Sequence, residues 1–172
     1  MLARHLLAAA AISAAVGAVT PLPAVAADGA APIGTAMCVD LSNNRGNGTL
    51  MYQWACDTYN NNQRFVVEDG LIKVADTIGR NPVMCMDSSN GRTNGTRVYQ
   101  WQCLGNANQL WVLQNGQIIL KSTLNSSNRL CLDATGNRGN GVQVYLWQCD
   151  PNNNNQKFVI GDGQIAIKDT LS

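Results

Sequence analysis

The chain has 172 residues, with 12 Lys and Arg against 11 Asp and Glu, one histidine and six cysteines. So even a charge balance argues against nucleic acid or an anionic membrane surface as a partner, because both demand a cationic surplus. The length suits one ordinary domain with room for a real core.

The first element is a leader. Arg4 and His5 give a positive start, Leu6 to Val19 is an apolar run, and Ala24-Val25-Ala26 offers the small residues that a signal peptidase reads. Residues 1–26 are therefore expected to be a secretory signal peptide, cleaved after Ala26 or one residue later. The run is too short and too weakly flanked for a stable span, so no membrane insertion is expected. Losing it removes Arg4 and the only histidine, leaving eleven basic and eleven acidic side chains. Residues 27–32 read as a short linker.

From residue 33 onward the sequence repeats itself three times, over about 33–76, 77–122 and 123–172. The first copy runs Cys38-Val39-Asp40, Asn47-Gly48, Tyr52-Gln53-Trp54-Ala55-Cys56 and Asn62-Gln63-Arg64-Phe65. The second runs Cys85-Met86-Asp87, Asn94-Gly95, Tyr99-Gln100-Trp101-Gln102-Cys103 and Asn108-Gln109-Leu110-Trp111. The third runs Cys131-Leu132-Asp133, Asn140-Gly141, Tyr145-Leu146-Trp147-Gln148-Cys149 and Asn155-Gln156-Lys157-Phe158. Six cysteines in an exported chain predict disulfides. Both cysteines of each copy stand eighteen residues apart, so identical units close identical bonds: Cys38–Cys56, Cys85–Cys103 and Cys131–Cys149. Zinc is not expected, nor any other metal or cofactor, because the mature chain has no histidine and no closely spaced cysteine pair.

Helix is disfavoured, since no sustained 3.6-residue apolar pattern occurs. Turn signals recur at the Asn-Gly pairs, Asp69-Gly70, Asn115-Gly116 and Asp162-Gly163, with short runs such as Met51–Cys56, Gln117–Leu120 and Gln164–Ile167 between them. That predicts about four strands per copy, twelve in all. A three-bladed propeller would pack poorly at its centre. Three four-stranded units close better as a six-stranded barrel capped by three hairpins, an all-β β-trefoil. In the second strand, Tyr52, Trp54 and Cys56 face one way and Met51, Gln53 and Ala55 the other. The second face is the expected core, as Val144 and Leu146 of the third copy indicate; Gln53 and Gln100 would then point inward and need partners. Phe65, Trp111 and Phe158 are expected in the core.

Three Gln-x-Phe/Trp motifs, each preceded by a Cys-x-Asp and a Trp-x-Cys, resemble the ricin-type β-trefoil lectins and the family 13 carbohydrate-binding modules. The resemblance covers residues 33–172. It implies a sugar site in each copy: Asp40, Trp54, Asn62 and Gln63; Asp87, Trp101, Asn108 and Gln109; Asp133, Trp147, Asn155 and Gln156. The chemistry fits. A carboxylate accepts from neighbouring hydroxyls, an amide both donates and accepts, and an indole offers a flat apolar plane to the C–H face of a sugar ring. By the resemblance, the Gln supports the Asp. Tyr52, Tyr99 and Tyr145 stand where many galactose-binding members carry Gln, so galactosides and wall or plant polysaccharides such as xylan both remain open.

Catalysis is not expected. No Ser-His-Asp triad is possible without histidine, and a glycosidase needs two close carboxylates in one cleft. Glu68 is the only glutamate. The expectation is a secreted, noncatalytic, monomeric lectin with up to three glycan sites. A sugar-blind trefoil that binds protein or serves a toxin is the alternative. Asn47-Gly48-Thr49, Asn94-Gly95-Thr96 and Asn125-Ser126-Ser127 also fit the N-glycosylation pattern of a eukaryotic host.

Overall fold

A computed structural model describes residues 36–171. The expected leader, the linker and residues 33–35 lie outside the described residues.

The first copy contributes β1 (Met37–Leu41), β2 (Thr49–Ala55), β3 (Phe65–Glu68) and β4 (Leu71–Val74). The second contributes β5 (Met84–Asp87), β6 (Thr96–Arg97), β7 (Tyr99–Gln102), β8 (Trp111–Gln114) and β9 (Gln117–Leu120). The third contributes β10 (Leu130–Asp133), β11 (Val142–Gln143), β12 (Tyr145–Gln148), β13 (Phe158–Gly161) and β14 (Gln164–Ile167). Among the described residues there is no α-helix, and the strands number fourteen, not twelve. The difference has a local cause. The second strand is continuous in the first copy but breaks at Val98 and Val144 in the others. There the Met51 N–H donates to the Val98 carbonyl at 3.0 Å, and the Val144 N–H to the Met51 carbonyl at 3.2 Å. The second strands converge at these three buried residues.

All pairings are antiparallel, and three of them hand the chain from copy to copy. β4 pairs with β5, β9 with β10, and β14 returns to β1. This ring is the β-trefoil, and its closure removes most sheet edges. Three threonines lock the joints. Thr77, Thr123 and Thr170 donate to the carbonyls of Val74, Leu120 and Ile167, and accept from the amides of Met84, Leu130 and Met37. The last of these ties residue 170 back to residue 37.

The hairpins β3–β4, β8–β9 and β13–β14 turn at the expected dipeptides. Asp69 and Gly70, Asn115 and Gly116, and Asp162 and Gly163 all have positive φ, from 49° to 79°, as a two-residue turn that matches strand twist requires. Each turn glycine also offers its carbonyl to the next copy: Gly70 to Trp111, Gly116 to Phe158 and Gly163 to Phe65, at 2.7–2.8 Å. Phe65, Trp111 and Phe158 lie in the core at 3–5% exposure, and the Trp111 Nε1–H donates to the Met86 carbonyl at 3.2 Å. The disulfides are Cys38–Cys56, Cys85–Cys103 and Cys131–Cys149, one per repeat. An unstrained loop of that size contributes roughly 3 kcal/mol per bond.

Candidate functional site

Strand register places the polar and aromatic candidates side by side. Asp40 stands opposite Tyr52 and Cys38 opposite Trp54. Asp87 stands opposite Tyr99, and Asp133 opposite Tyr145. Alternation then separates the faces. Met51, Gln53, Gln100 and Leu146 are fully buried, whereas Trp54 and Trp147 keep 46% and 47% of their surface in solvent. Trp101 is half-buried, its ring 5.8 Å from that of Tyr99. Each disulfide flanks the tryptophan, because its first cysteine is the cross-strand neighbour of that ring.

The carboxylates are buried and braced. A short turn, Asn61–Gln63, is capped by Asn60, whose Oδ1 accepts from the Asn62 N–H at 3.0 Å. The cap aims two side chains, Asn60 and Gln63, at one carboxylate. Asp40 Oδ2 accepts from Gln63 Nε2 at 2.7 Å and from Asn60 Nδ2 at 3.1 Å. The third copy repeats this, with Asp133 Oδ2 accepting from Gln156 at 3.0 Å and from Asn153 at 3.2 Å. The second copy is looser. Asp87 Oδ1 accepts from the Ser89 N–H at 2.8 Å, and Gln109 Nε2 donates to the Gln102 carbonyl at 2.8 Å. Burial raises the pKa of Asp40 and Asp87 above the ordinary aspartate value. Bonds from Gln63 and Asn60 and the charge of Arg45 oppose this at Asp40, and Ser89, Gln109 and Arg92 oppose it at Asp87.

Asn62, Asn108 and Asn155 are already engaged. Their Oδ1 atoms accept from Arg45, Arg92 and Arg138 Nη2 at 2.7, 2.5 and 2.7 Å. Asn62 and Asn108 also donate to Asn43 and Asn90, each at 2.9 Å. The amides are thus oriented, each with one lone pair and at least one N–H to spare. These arginines were not read from the sequence as site residues. The signal was there: each stands seven residues after the first cysteine of its copy. Arg45 and Arg138 are in turn held by Asp76 and Asp169.

The neighbouring copy completes each site. Asn47, Asn94 and Asn140 Oδ1 accept from the amides of Gln102, Gln148 and Ala55 at 2.7, 2.6 and 2.8 Å. Gly48, Gly95 and Gly141 donate to the carbonyls of Gln100, Leu146 and Gln53, each at 2.9 Å. So every Asn-Gly turn clips onto the tryptophan strand of the next copy round the ring. A Cβ on Gly141 would meet the Trp54 ring at 3.4 Å, and one on Gly48 the Trp101 ring at 3.8 Å. Glycine is required by the positive φ of 77° and 83°, while a Cβ would meet the indole only in ordinary contact. Asn47 and Asn94 are therefore structural clips as well as fits to the glycosylation pattern. The amide N–H groups of the inward Gln53 and Gln100 find their partners here too, while both Oε1 atoms have none among the described residues. Gln53 donates to the carbonyls of Ala134 and Asn137, and Gln100 to those of Asn44 and Gly46 at 2.7 and 3.0 Å.

Glu68 is exposed and paired with Lys73 at 2.6 Å, away from these clusters. Among the described residues no helix is long and apolar enough to cross a membrane, and no group of His, Cys, Asp or Glu has the makings of a metal site.

The model of the ricin-type beta-trefoil lectin domain matches residues 31–158. No curated protein matches the sequence significantly. Among solved structures, the designed 3-fold symmetric protein ThreeFoil is 18% identical, with a TM-score of 0.50 over 76% of this chain and 94% of its own. The Vibrio vulnificus hemolysin/cytolysin beta-trefoil lectin, solved with N-acetyl-D-lactosamine bound, is 18% identical, with a TM-score of 0.53 over 72% and 84%. GalNAc-T7, solved with UDP, GalNAc and Mn2+, is 18% identical, with a TM-score of 0.55 over 78% of this chain and 22% of its own.

Proposed function

The chain belongs to the ricin-type beta-trefoil lectin domain family, a carbohydrate-binding class, and on that premise we propose that it is a secreted, noncatalytic, monomeric lectin with up to three sugar sites. The observation that carries this reading is the pairing, in every copy, of an indole with a buried carboxylate and an oriented amide, the indole exposed at Trp54 and Trp147 and half-buried at Trp101. Such a set has no use in the core. Trp54, Trp101 and Trp147 stack on the sugar ring, Asp40, Asp87 and Asp133 accept from its hydroxyls, and Asn62, Asn108 and Asn155 add amide contacts. Gln63 and Gln156 hold their carboxylates in place by direct bonds, and Gln109, bonded to the Gln102 carbonyl, supports Asp87 more loosely.

A galactoside is the first ligand to try, because the Vibrio vulnificus lectin carries N-acetyl-D-lactosamine. Xylan-type polysaccharide is the second, because Tyr52, Tyr99 and Tyr145 wall the sites with a phenol. One indole face and a few hydrogen bonds support a Kd on the order of millimolar per site, so useful attachment rests on several sites engaging one polymer. A glycan array spanning galactosides, xylans and other wall polysaccharides tests the proposal. Binding to at least one class, with a weakened signal in the Trp147→Ala protein, supports it. An array with no sugar bound at all points to the sugar-blind trefoil. Release of free sugar from any bound oligosaccharide would contradict the noncatalytic part.

A further inference from the structure

The three sites are not alike, and the difference is one of charge. In the first copy Arg45 grips Asp76 with two bonds, Nε to Oδ1 at 2.9 Å and Nη2 to Oδ2 at 3.1 Å. In the third copy Arg138 grips Asp169 in the same way, at 3.1 and 2.9 Å. The second copy keeps the arginine but not the acid. Counting along the repeats, the place of Asp76 and Asp169 is taken by Ser122, which is exposed. Arg92 still anchors to Asn108 through Nη2 and to the Ser89 and Gly91 carbonyls through Nη1, at 2.5, 2.9 and 2.8 Å. Its Nε has no hydrogen-bond partner among the described residues. The edge that grips a carboxylate in the other two copies therefore meets no carboxylate here. It is also rigid, since three bonds hold the rest of the guanidinium.

Local charge follows. The first and third clusters each hold two carboxylates and one guanidinium, Asp40 and Asp76 with Arg45, and Asp133 and Asp169 with Arg138. The second holds one of each, Asp87 and Arg92. An anionic ligand is repelled by the net charge of the first and third clusters. At the second it meets a planar two-donor fork one hydrogen bond from Asn108, an amide of the sugar site.

We infer that the second site prefers an acidic sugar, a uronic acid or a sulfated residue, whose anionic oxygens take on Arg92 the place that Asp76 and Asp169 hold on Arg45 and Arg138. The inference rests on the lectin reading above and deepens it. The ring stacks on Trp101, its hydroxyls meet Asp87 and Asn108, and its acid group lies on the Nε and Nη2 edge of Arg92. A bidentate guanidinium–carboxylate pair is the geometry this edge is shaped for. Two other cations are to be considered: Lys121, which is exposed beside Ser122 and is a flexible point charge with no planar fork, and Arg97. Arg97 stands across from Tyr145, in the row that holds Asp133, and so belongs to the third site. It is exposed, with no hydrogen bond or ion pair to orient it among the described residues, which leaves it the poorer fork.

The test uses the 15N-labelled, disulfide-bonded chain and follows the indole N–H signals of Trp54, Trp101 and Trp147 by NMR. Matched glycosides are titrated: methyl galactoside against methyl galacturonoside and galactoside 6-sulfate, and methyl xyloside against methyl glucuronoside, which is the xyloside with a carboxylate added at C5. The expected result is a preference for the acidic partner of about tenfold at Trp101, and none at Trp54 or Trp147. Ser122→Asp, which restores the internal acid, removes that preference and leaves neutral-sugar binding as it was. Ser122→Ala keeps it. Equal response to uronate and sulfate means the site reads charge, while uronate alone means it reads the planar carboxylate; either supports the inference. An acidic preference that survives Ser122→Asp overturns it, as does one seen at Trp147 and abolished by Arg97→Ala. Neutral glycosides that bind with no acidic excess at Trp101 sink this inference alone. Failure of every glycoside to move any indole sinks the lectin reading with it.

Discussion

Two kinds of tryptophan share this molecule, and the physics of each is opposite. Trp111 fills core volume at 3% exposure, so Trp111→Ala should cost about 3–5 kcal/mol, read from denaturant unfolding. Trp147, at 47% exposure, keeps its ring in water, where the proposed lectin stacks a sugar on it. Trp147→Ala should abolish sugar binding at the third site with little loss of stability; the reverse result would mean that the two faces are assigned backwards. The carboxylates carry a pH signature. Burial raises the pKa of Asp40 and Asp87 in the folded protein, so the folded state takes up a proton more readily than the unfolded chain. The ionised forms thus cost stability at neutral pH, and that cost is relieved as pH falls through the raised folded values. Sugar binding runs the other way, because it needs the ionised acceptor. Acidification should therefore release sugar from the first two sites while the fold still holds. Binding at Trp54 that persists below about pH 3.9, the ordinary aspartate value, would contradict the role given to Asp40.

At the scale of elements, the Asn-Gly turns matter more than their sequence suggests. Each clips onto the tryptophan strand of the next copy, so a substitution in one copy is felt in another's site. Asn140→Ala strips the acceptor from the Ala55 N–H, at a cost of about 1 kcal/mol, and loosens the strand under Trp54. The expected outcome is weaker binding at Trp54, with Trp101 unchanged, although Asn140 lies in the third copy. Gln100→Leu should be worse for the fold, about 1–3 kcal/mol, because it removes the donor shared by the Asn44 and Gly46 carbonyls. Leucine is accepted at the equivalent position 146 because the facing carbonyls find other donors: Gly91, at the place of Asn44, accepts from Arg92 Nη1 at 2.8 Å, and Thr93, at the place of Gly46, accepts from the Thr96 hydroxyl at 2.8 Å, as Gly46 does from Thr49. These cases mark where the sequence was legible. Strand faces and disulfides depend on period two and on equal spacing, which a reader can count. The partners of Gln53 and Gln100 lie as far as 84 and 56 residues away, and only ring closure brings them near. The Arg45, Arg92 and Arg138 network was legible as a repeat but not as chemistry, since a lone arginine in a polar loop looks like any solvated cation.

For the whole molecule, the ring that closes from β14 to β1 is what sets three copies of the Asp–Trp–Asn cluster on one chain. Each copy brings an Asp, a Trp and an Asn, and borrows a turn from its neighbour, so on the proposed lectin reading one protein holds several branches of a polymer without dimerising. Asp87→Ala should leave the fold and the affinity of the other two sites intact. It should still weaken attachment to a polysaccharide by well over a third, because linked sites multiply rather than add. The most direct measurement of the central claim is a monosaccharide titration of the disulfide-bonded chain that reads the indole signals of Trp54, Trp101, Trp147 and Trp111 together. The account predicts that the first three shift on binding and that Trp111 stays still. Movement of Trp111 with silence at the other three would contradict it.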